Sequence, residues 1–346
     1  MKSAVVAAET LLVRTLLNLP RPVLRVLAGP PVRIDGQTLD LETQALMRVR
    51  ALARKPSTED LPVAEGRLNM RQQARYVGSG LPIGSVYETT VQGADGPLDA
   101  RVYVPSASTD GALLVYFHGG GNVHGDLDSH DGPCRLLAEQ ASVTVVSVAY
   151  RLAPEHPHPA PSDDAFTSYC SVVERAEEFG ADPARIAVGG DSAGGFLAAR
   201  TALRAAEAGV PCAFQLLVYP FTDPAVRSRS HELFEEGFYL TRKYMDWARE
   251  LHFGDHDQHA PDAALVNTKE FPAGLAPAFV ATAGFDPLRD EGEAYAQLLA
   301  DNGVEVELKR YPGFLHGFFN YANAGRTAPK ANAEIAAKLR QALHSS

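Results

Sequence analysis

Five short stretches of this chain are apolar almost without interruption: LLVYFH (113–118), VTVVSVAY (143–150), IAVGG (186–190), FQLLVYP (214–220) and AFVATAG (278–284). A strand with one face in water alternates apolar and polar residues; one covered on both faces does not. The runs are too short for buried helices, and several are rich in β-branched and aromatic residues. Helical patterns fall between or after them, near 129–141, 161–178, 193–208, 288–302 and 328–344. Strands alternating with helices predict an α/β architecture, a mostly parallel sheet with helices on both faces. VYETTVQ and LDARVYV, separated by GADGP, predict a hairpin ahead of the first run. VEVELKRY (304–311) reads as the last strand. As a sheet edge it invites pairing with a second copy, so a homodimer is a possible assembly. A folded chain of 37.1 kDa exposes roughly 14,000 Å² and buries about three quarters of its unfolded surface, enough for an enclosed pocket.

Two regions depart from this rhythm. Residues 1–75 read as helical, most clearly in LDLETQALMRVRALARK, where Leu41, Ala45 and Val49 repeat at helical spacing. The opening residues begin like a signal peptide, but Glu9 and Arg14 interrupt the apolar run. Val5, Ala8, Leu12, Leu16 and Leu19 predict instead an amphipathic helix resting on the protein. Residues 221–276 hold no buried-strand run and carry Phe234, Phe238, Tyr239, Tyr244, Trp247 and Phe253. An insertion of that length between sheet strands predicts a lid.

Composition narrows the partners. Lys plus Arg is 32 and Asp plus Glu is 42, a net charge of −10. That sign repels nucleic acid and anionic membranes and favours a small neutral substrate. No stretch reaches the ~18 uncharged apolar residues of a membrane span. Cys134, Cys170 and Cys212 are odd in number and lack CxxC spacing, which fits a reducing cytoplasm and offers no thiolate metal site.

The chemistry-bearing signals sit at strand ends. IAVGGDSAGG places Ser192 in a Gly-x-Ser-x-Gly spacing between a buried strand and the helical run FLAARTALRAA. A serine there occupies a sharp strand-to-helix turn whose flanking positions have no room for side chains. Chance alone gives roughly 0.1 such match in a chain of this length, and the strand–turn–helix context makes it more specific. His118-Gly119-Gly120-Gly121 ends another strand. Such glycines let backbone N–H groups face a substrate oxygen, joined by the N–H of the residue after the nucleophile, here Ala193. No GKS or GKT follows to suggest phosphate binding.

A serine nucleophile needs a base and an orienting carboxylate, in the chain order Ser, Asp or Glu, His. His316 in YPGFLHGF follows the last strand-like run, and Asp286 follows AFVATAG. Asp290 and Glu291 compete with Asp286 but fall about a turn into the next helix. His231, His252, His256, His259 and His344 read as surface histidines. HFGDHDQH could bind a stray divalent ion, but it lacks HExxH or any similarly rigid spacing of a metal enzyme, so no catalytic metal and no cofactor are expected. Asp191 is a candidate partner for Arg151.

From about residue 80 onward, and more loosely before it, the sequence resembles the hormone-sensitive-lipase-like carboxylesterases (bacterial family IV) of the α/β-hydrolase fold. The resemblance rests on HGGG at 118–121, GDLDSHD at 125–131, YRLAPEHP at 150–157, GDSAGG at 190–195, DPLRDEG at 286–292 and YPGFLHGF at 311–318. It implies an eight-stranded sheet and a core of 80–220 and 277–346. It implies a helical cap from 1–75 and 221–276. It implies a Ser192–Asp286–His316 triad and an oxyanion hole from Gly120, Gly121 and Ala193. The implied activity is hydrolysis of short- to medium-chain acyl esters. A non-catalytic ligand receptor and an amide or N-acetyl hydrolase are the alternatives on the same fold. The sequence departs from the family pattern at Asn122, where an aromatic usually follows HGGG, and at His158, where a large apolar residue is common. The first change is expected to make the pocket wall more polar.

Overall fold

The five apolar runs become neighbouring parallel strands of one sheet. The computed structural model describes residues 2–53 and 57–344. The first half of the chain opens with helices α1 (Lys2–Leu17) and α2 (Arg21–Ala28). A small antiparallel ribbon follows, β1 (Arg33–Ile34) and β2 (Gln37–Thr38), then α3 (Leu41–Ala53) and α4 (Val63–Gly78). The predicted hairpin is β3 (Ser85–Gly93) with β4 (Gly96–Val104). Next come β5 (Leu113–Phe117), α5 (Asp131–Ala141), β6 (Thr144–Val148), α6 (Ala160–Glu174), β7 (Ile186–Asp191), α7 (Ala193–Ala208) and β8 (Gln215–Val218). The long insertion carries α8 (Arg229–Phe234) and α9 (Arg242–Phe253). The chain ends with β9 (Ala278–Phe285), α10 (Arg289–Asp301), β10 (Val306–Leu315) and α11 (Thr327–His344).

The eight-stranded sheet runs β10-β9-β8-β7-β5-β6-β4-β3. β4 runs antiparallel to both its neighbours, β3 and β6, and the other pairs are parallel. Alternate residues of each strand feed opposite layers, as the pleat requires. Leu113, Val115 and Phe117 pack with α6, α7 and α10. Leu114 and Tyr116 pack with α5 and α11 on the other face. This two-sided burial is why the runs show no alternation. The accessible surface is 14429 Å², close to the expectation from mass. β10 is the edge strand the sequence predicted.

Helix α1 forms as predicted, with a shifted buried face. Leu16 and Leu17 are buried and Val13 packs beside them, whereas Leu12 is exposed. The side chain of Val5 lies outside the described residues. Among the described residues no helix is long and apolar enough to cross a membrane.

Strand order fixes where a site can form. The chain passes from β5 to β6 and then returns to the other side of β5 as β7. Such a reversal opens a crevice at the carboxyl ends of the two diverging strands. Phe117 pairs with Gly190 in register, so His118-Gly119-Gly120-Gly121 and Asp191-Ser192 leave the sheet side by side.

Candidate active site

Ser192 has φ 57° and ψ −121°, a backbone strained for any residue with a Cβ. The turn leaves no space at its flanks. A Cβ on Gly190 would sit 2.3 Å from the Gly194 carbonyl oxygen, and one on Gly194 would sit 2.0 Å from that of Phe117. The Ser192 N–H donates to Val218 O at 2.9 Å, pinning the turn to β8.

The structure brings the three predicted side chains together from distant segments. His316 Nε2 lies 2.8 Å from Ser192 Oγ, and its Nδ1 lies 2.7 Å from Asp286 Oδ2. The Leu288 N–H donates to Asp286 Oδ1 at 2.9 Å. Asp286 is fully buried and His316 nearly so. The competitors are engaged elsewhere. Asp290 accepts from Arg289 Nε and the Ser230 N–H, and Glu291 accepts from the Thr222 N–H. Burial pushes the Glu291 pKa well up, against those N–H bonds.

Gly120, Gly121 and Ala193 border the same cavity as Ser192 and His316. Ala193 opens α7, so its N–H has no acceptor within the helix. Gly120 takes φ 122°, and a Cβ there would meet His124 O at 2.3 Å. With the imidazole beside the hydroxyl, the geometry suits proton abstraction from Ser192, and three backbone N–H groups belong to residues bordering the same cavity.

Behind this loop lies a polar core that sequence reasoning did not assign. The expected Arg151–Asp191 pair is absent. Arg151 grips Asp164 with Nε at 2.7 Å and Nη2 at 2.9 Å. β5 stands between the strand that precedes Arg151 and the one that ends in Asp191. Asp191 instead accepts from Tyr116 Oη at 2.6 Å and the Gly119 N–H at 3.0 Å. His130 Nε2 lies 3.3 Å from the same Oδ1, close but not aligned as a hydrogen bond. Burial acts to raise the Asp191 pKa. The attraction of His130 and the Tyr116 and Gly119 donors outweigh it and hold the carboxyl at about 2. The signal for His130 was its place in GDLDSHD, though no spacing rule gave it a role.

The cavity has a volume of about 610 Å³. Its walls come from α1, α3 and α4 on one side and from the insertion on the other, including Tyr239, Leu240 and Tyr244. Asn122 and His124 do reach it. Tyr244 Oη donates to Gly120 O at 3.2 Å and lies 3.0 Å from His124 Nδ1, so that nitrogen carries the proton. His124 stacks on Trp247 at 5.1 Å. Burial, aided by the Arg67 charge, lowers the His124 pKa to about 4. Asn122 Nδ2 lies 3.0 Å from His252 Nε2.

Two of the predicted surface histidines are buried, His231 and His252. His231 Nδ1 receives the Ser228 N–H at 3.3 Å and completes the cap of α8. His252 is held against the core by Asn122 and by the His158 N–H, which donates to its carbonyl. His256 and His344 are half-buried, and His259 is exposed.

Residues 114–320 match the family described as the alpha/beta hydrolase fold. The carboxylic ester hydrolase LipN of Mycobacterium tuberculosis is 39% identical over 343 residues, 96% of this chain and 90% of that protein. The carboxylesterase NlhH of the same organism is 41% identical over 297 residues, 83% and 91% of the two chains. Among solved structures, an alpha/beta hydrolase enzyme from the metagenome of Lake Arreo superposes with a TM-score of 0.83 at 40% identity, covering 87% of this chain and 98% of its own. A hyperthermophilic esterase from the archaeon Pyrobaculum calidifontis gives 0.82 at 35%, covering 88% and 98%. Fold, motifs and relatives agree, and the chain belongs to the α/β-hydrolase fold family, in its hormone-sensitive-lipase-like branch.

Proposed function

We propose that this chain is a cofactor-free serine carboxylesterase acting on short- to medium-chain acyl esters. The observation that carries the reading is the hydrogen-bonded series Asp286–His316–Ser192, at 2.7 Å and 2.8 Å, opening into an enclosed cavity. His316 takes the Ser192 proton as Oγ attacks the ester carbonyl. Asp286 holds the imidazole tautomer and stabilises the imidazolium. The N–H groups of Gly120, Gly121 and Ala193 receive the oxyanion, each donor contributing about 3–4 kcal/mol to the barrier reduction. The alkoxide leaves with the proton from His316. Water, deprotonated by the same ring, then attacks the acyl-enzyme and frees the acid and Ser192.

The helices of residues 1–75 and the insertion 221–276 act as the cap. Arg67 of α4 supports this, because it holds Glu155 and the carbonyls of Val123 and Ala153 on the core. A cavity of about 610 Å³ is in the range of small-ligand sites and favours a short or medium acyl group over a triglyceride. We take the substrate to be neutral, the setting cytoplasmic, and the β10 edge as the surface through which two copies pair. Sedimentation velocity tests the dimer; a single monomer species at every concentration removes it.

The function itself is tested by initial rates on nitrophenyl esters of increasing chain length, with a parallel panel of amides. Ser192→Ala is expected to abolish turnover while keeping the fold, and a fluorophosphonate probe is expected to label Ser192. Turnover by Ser192→Ala within tenfold of the parent overturns the assignment. Faster cleavage of amides than of matched esters replaces esterase with amidase.

A further inference from the structure

His158, His256 and Asp262 converge at the junction of the insertion with the core, outside the cavity wall. Each offers a ligand atom, and the three atoms lie within 4.8 Å of one another. His158 Nε2 is 3.1 Å from Asp262 Oδ2, and His256 Nε2 is 3.4 Å from Asp262 Oδ1. The His158 and His256 rings lie with centroids 4.4 Å apart, tilted 53° to one another. We propose that these three side chains bind a divalent transition-metal ion, zinc in the first instance, which clamps the insertion to the core.

Three observations carry this. The first is the donor set. Two imidazoles and a carboxylate suit zinc, whereas magnesium and calcium require oxygen ligands. The second is spacing. Ligands about 2.0–2.1 Å from a tetrahedral zinc stand about 3.4 Å apart. His158 Nε2 and Asp262 Oδ2 are already near that separation at 3.1 Å, all three ligand atoms lie within 4.8 Å of one another, and side-chain rotation of the half-exposed His256 and Asp262 closes the rest. The fourth position faces solvent, since the side chains of Asp262 and His256 are 43% and 33% exposed. The third is that the anchoring ligand is held in place. The His158 side chain is fully buried, and its N–H backbone group donates to His252 O at 2.8 Å. Arg200 faces the cluster from α7 and opposes a dication, so the affinity expected is micromolar.

The clamp reaches toward the reaction centre. His252, which holds the His158 backbone, also contacts Asn122, the residue that follows Gly121. No reaction is assigned to the ion; its role is to fix the cap at this corner. Spacing within HFGDHDQH could not reveal the site, because its buried ligand lies about a hundred residues earlier.

The test is calorimetric titration of chelator-treated full-length protein with zinc chloride, paired with thermal unfolding. One zinc per chain is expected. At a hundredfold excess over its dissociation constant, zinc raises Tm by about 3–4 °C. Asp262→Asn and His256→Ala each weaken binding at least tenfold, and both residues are exposed enough for the variants to fold. His259→Ala, on an exposed neighbour, leaves binding unchanged. Cobalt in place of zinc gives visible absorption bands that Asp262→Asn removes. An unshifted Tm in sub-millimolar zinc, or zinc binding that survives both substitutions, overturns the proposal. Esterase activity plays no part in these readouts, so the fate of the functional proposal does not bear on them.

Discussion

Replacing Asp286 with Asn isolates what the carboxylate does for His316. The substitution keeps size and burial and removes one charge. Its outcome follows from the second oxygen. Asp286 Oδ1 accepts the Leu288 N–H at 2.9 Å, so an Asn there keeps its carbonyl oxygen on that donor. Its NH₂ must then occupy the Oδ2 position, 2.7 Å from His316 Nδ1. Facing a donor, Nδ1 can only accept, and the ring proton moves to Nε2. The nitrogen beside Ser192 Oγ then carries a hydrogen and cannot take another. Loss of the correct tautomer costs about 10⁴ in turnover in a serine triad, or about 5.4 kcal/mol of barrier. The assay is kcat/KM for a nitrophenyl ester, with thermal unfolding as the control for fold. Asp290→Asn serves as the comparison, since Asp290 is committed to Arg289 and Ser230; it is expected to retain activity within a fewfold. A loss below tenfold for Asp286→Asn, or an equal loss for Asp290→Asn, refutes the argument.

Gly194→Ala places a Cβ 2.0 Å from Phe117 O, backbone against backbone; it is expected to cost more than about 3 kcal/mol, and urea unfolding showing less would mean the turn can open. Asp191→Ala strands the Tyr116 hydroxyl and the Gly119 N–H, two buried donors at about 1–3 kcal/mol each; unchanged stability would show the network to be dispensable. His118, whose pKa burial and the nearby His130 lower to about 4, and His124, also lowered to about 4, make the fold acid-sensitive. Below pH 6.5 the unfolded chain binds protons that these folded imidazoles refuse until about pH 4. Stability is therefore full above 6.5 and falls across that window by about 2 kcal/mol per pH unit near pH 5, measurable as the shift of the urea midpoint. Tyr244→Phe cuts the bond from the insertion to Gly120 O; kcat is expected to fall several-fold with Tm nearly kept, and an unaltered kcat would sever the insertion from the oxyanion loop.

Much of this molecule was readable before any coordinates, for physical reasons that differ by feature. The strands showed because two covered faces forbid alternation, as in Leu113 to Phe117. Ser192 and the glycine loop showed because steric needs are local: a strained turn dictates its own neighbours, whereas Asp286 showed by chain order and its place just after a strand. His316 required only chain order. Pairings among buried polar groups were not legible. Arg151 and Asp191 looked complementary, yet β5 separates them, and register decides that Tyr116 rather than a cation meets the carboxylate. The histidines of the insertion failed the same way. His252 looks like any polar residue on a helix until the end of α9 is seated on the core against Asn122 and His158.

Asp191 shows why the unread part matters. It is the last residue of β7, so its backbone runs directly into Ser192. Its side chain meanwhile accepts the N–H of Gly119, the glycine that precedes the proposed oxyanion donors Gly120 and Gly121. One residue thus references both halves of the site to a single point: its main chain positions the nucleophile and its carboxylate positions the loop. A buried carboxylate is costly unless its donors are complete; Tyr116, Gly119 and Tyr219 donate to it, and His130 lies beside it. Displacements on the order of 1 Å between reacting groups cost about 10²-fold in rate. A polar anchor with directional bonds holds such a distance better than apolar packing would, because sliding of the loop breaks the Gly119 bond outright. The physical logic of the proposed site therefore extends one layer below Ser192, His316 and Asp286, into a buried carboxylate that holds the loop and the nucleophile turn together.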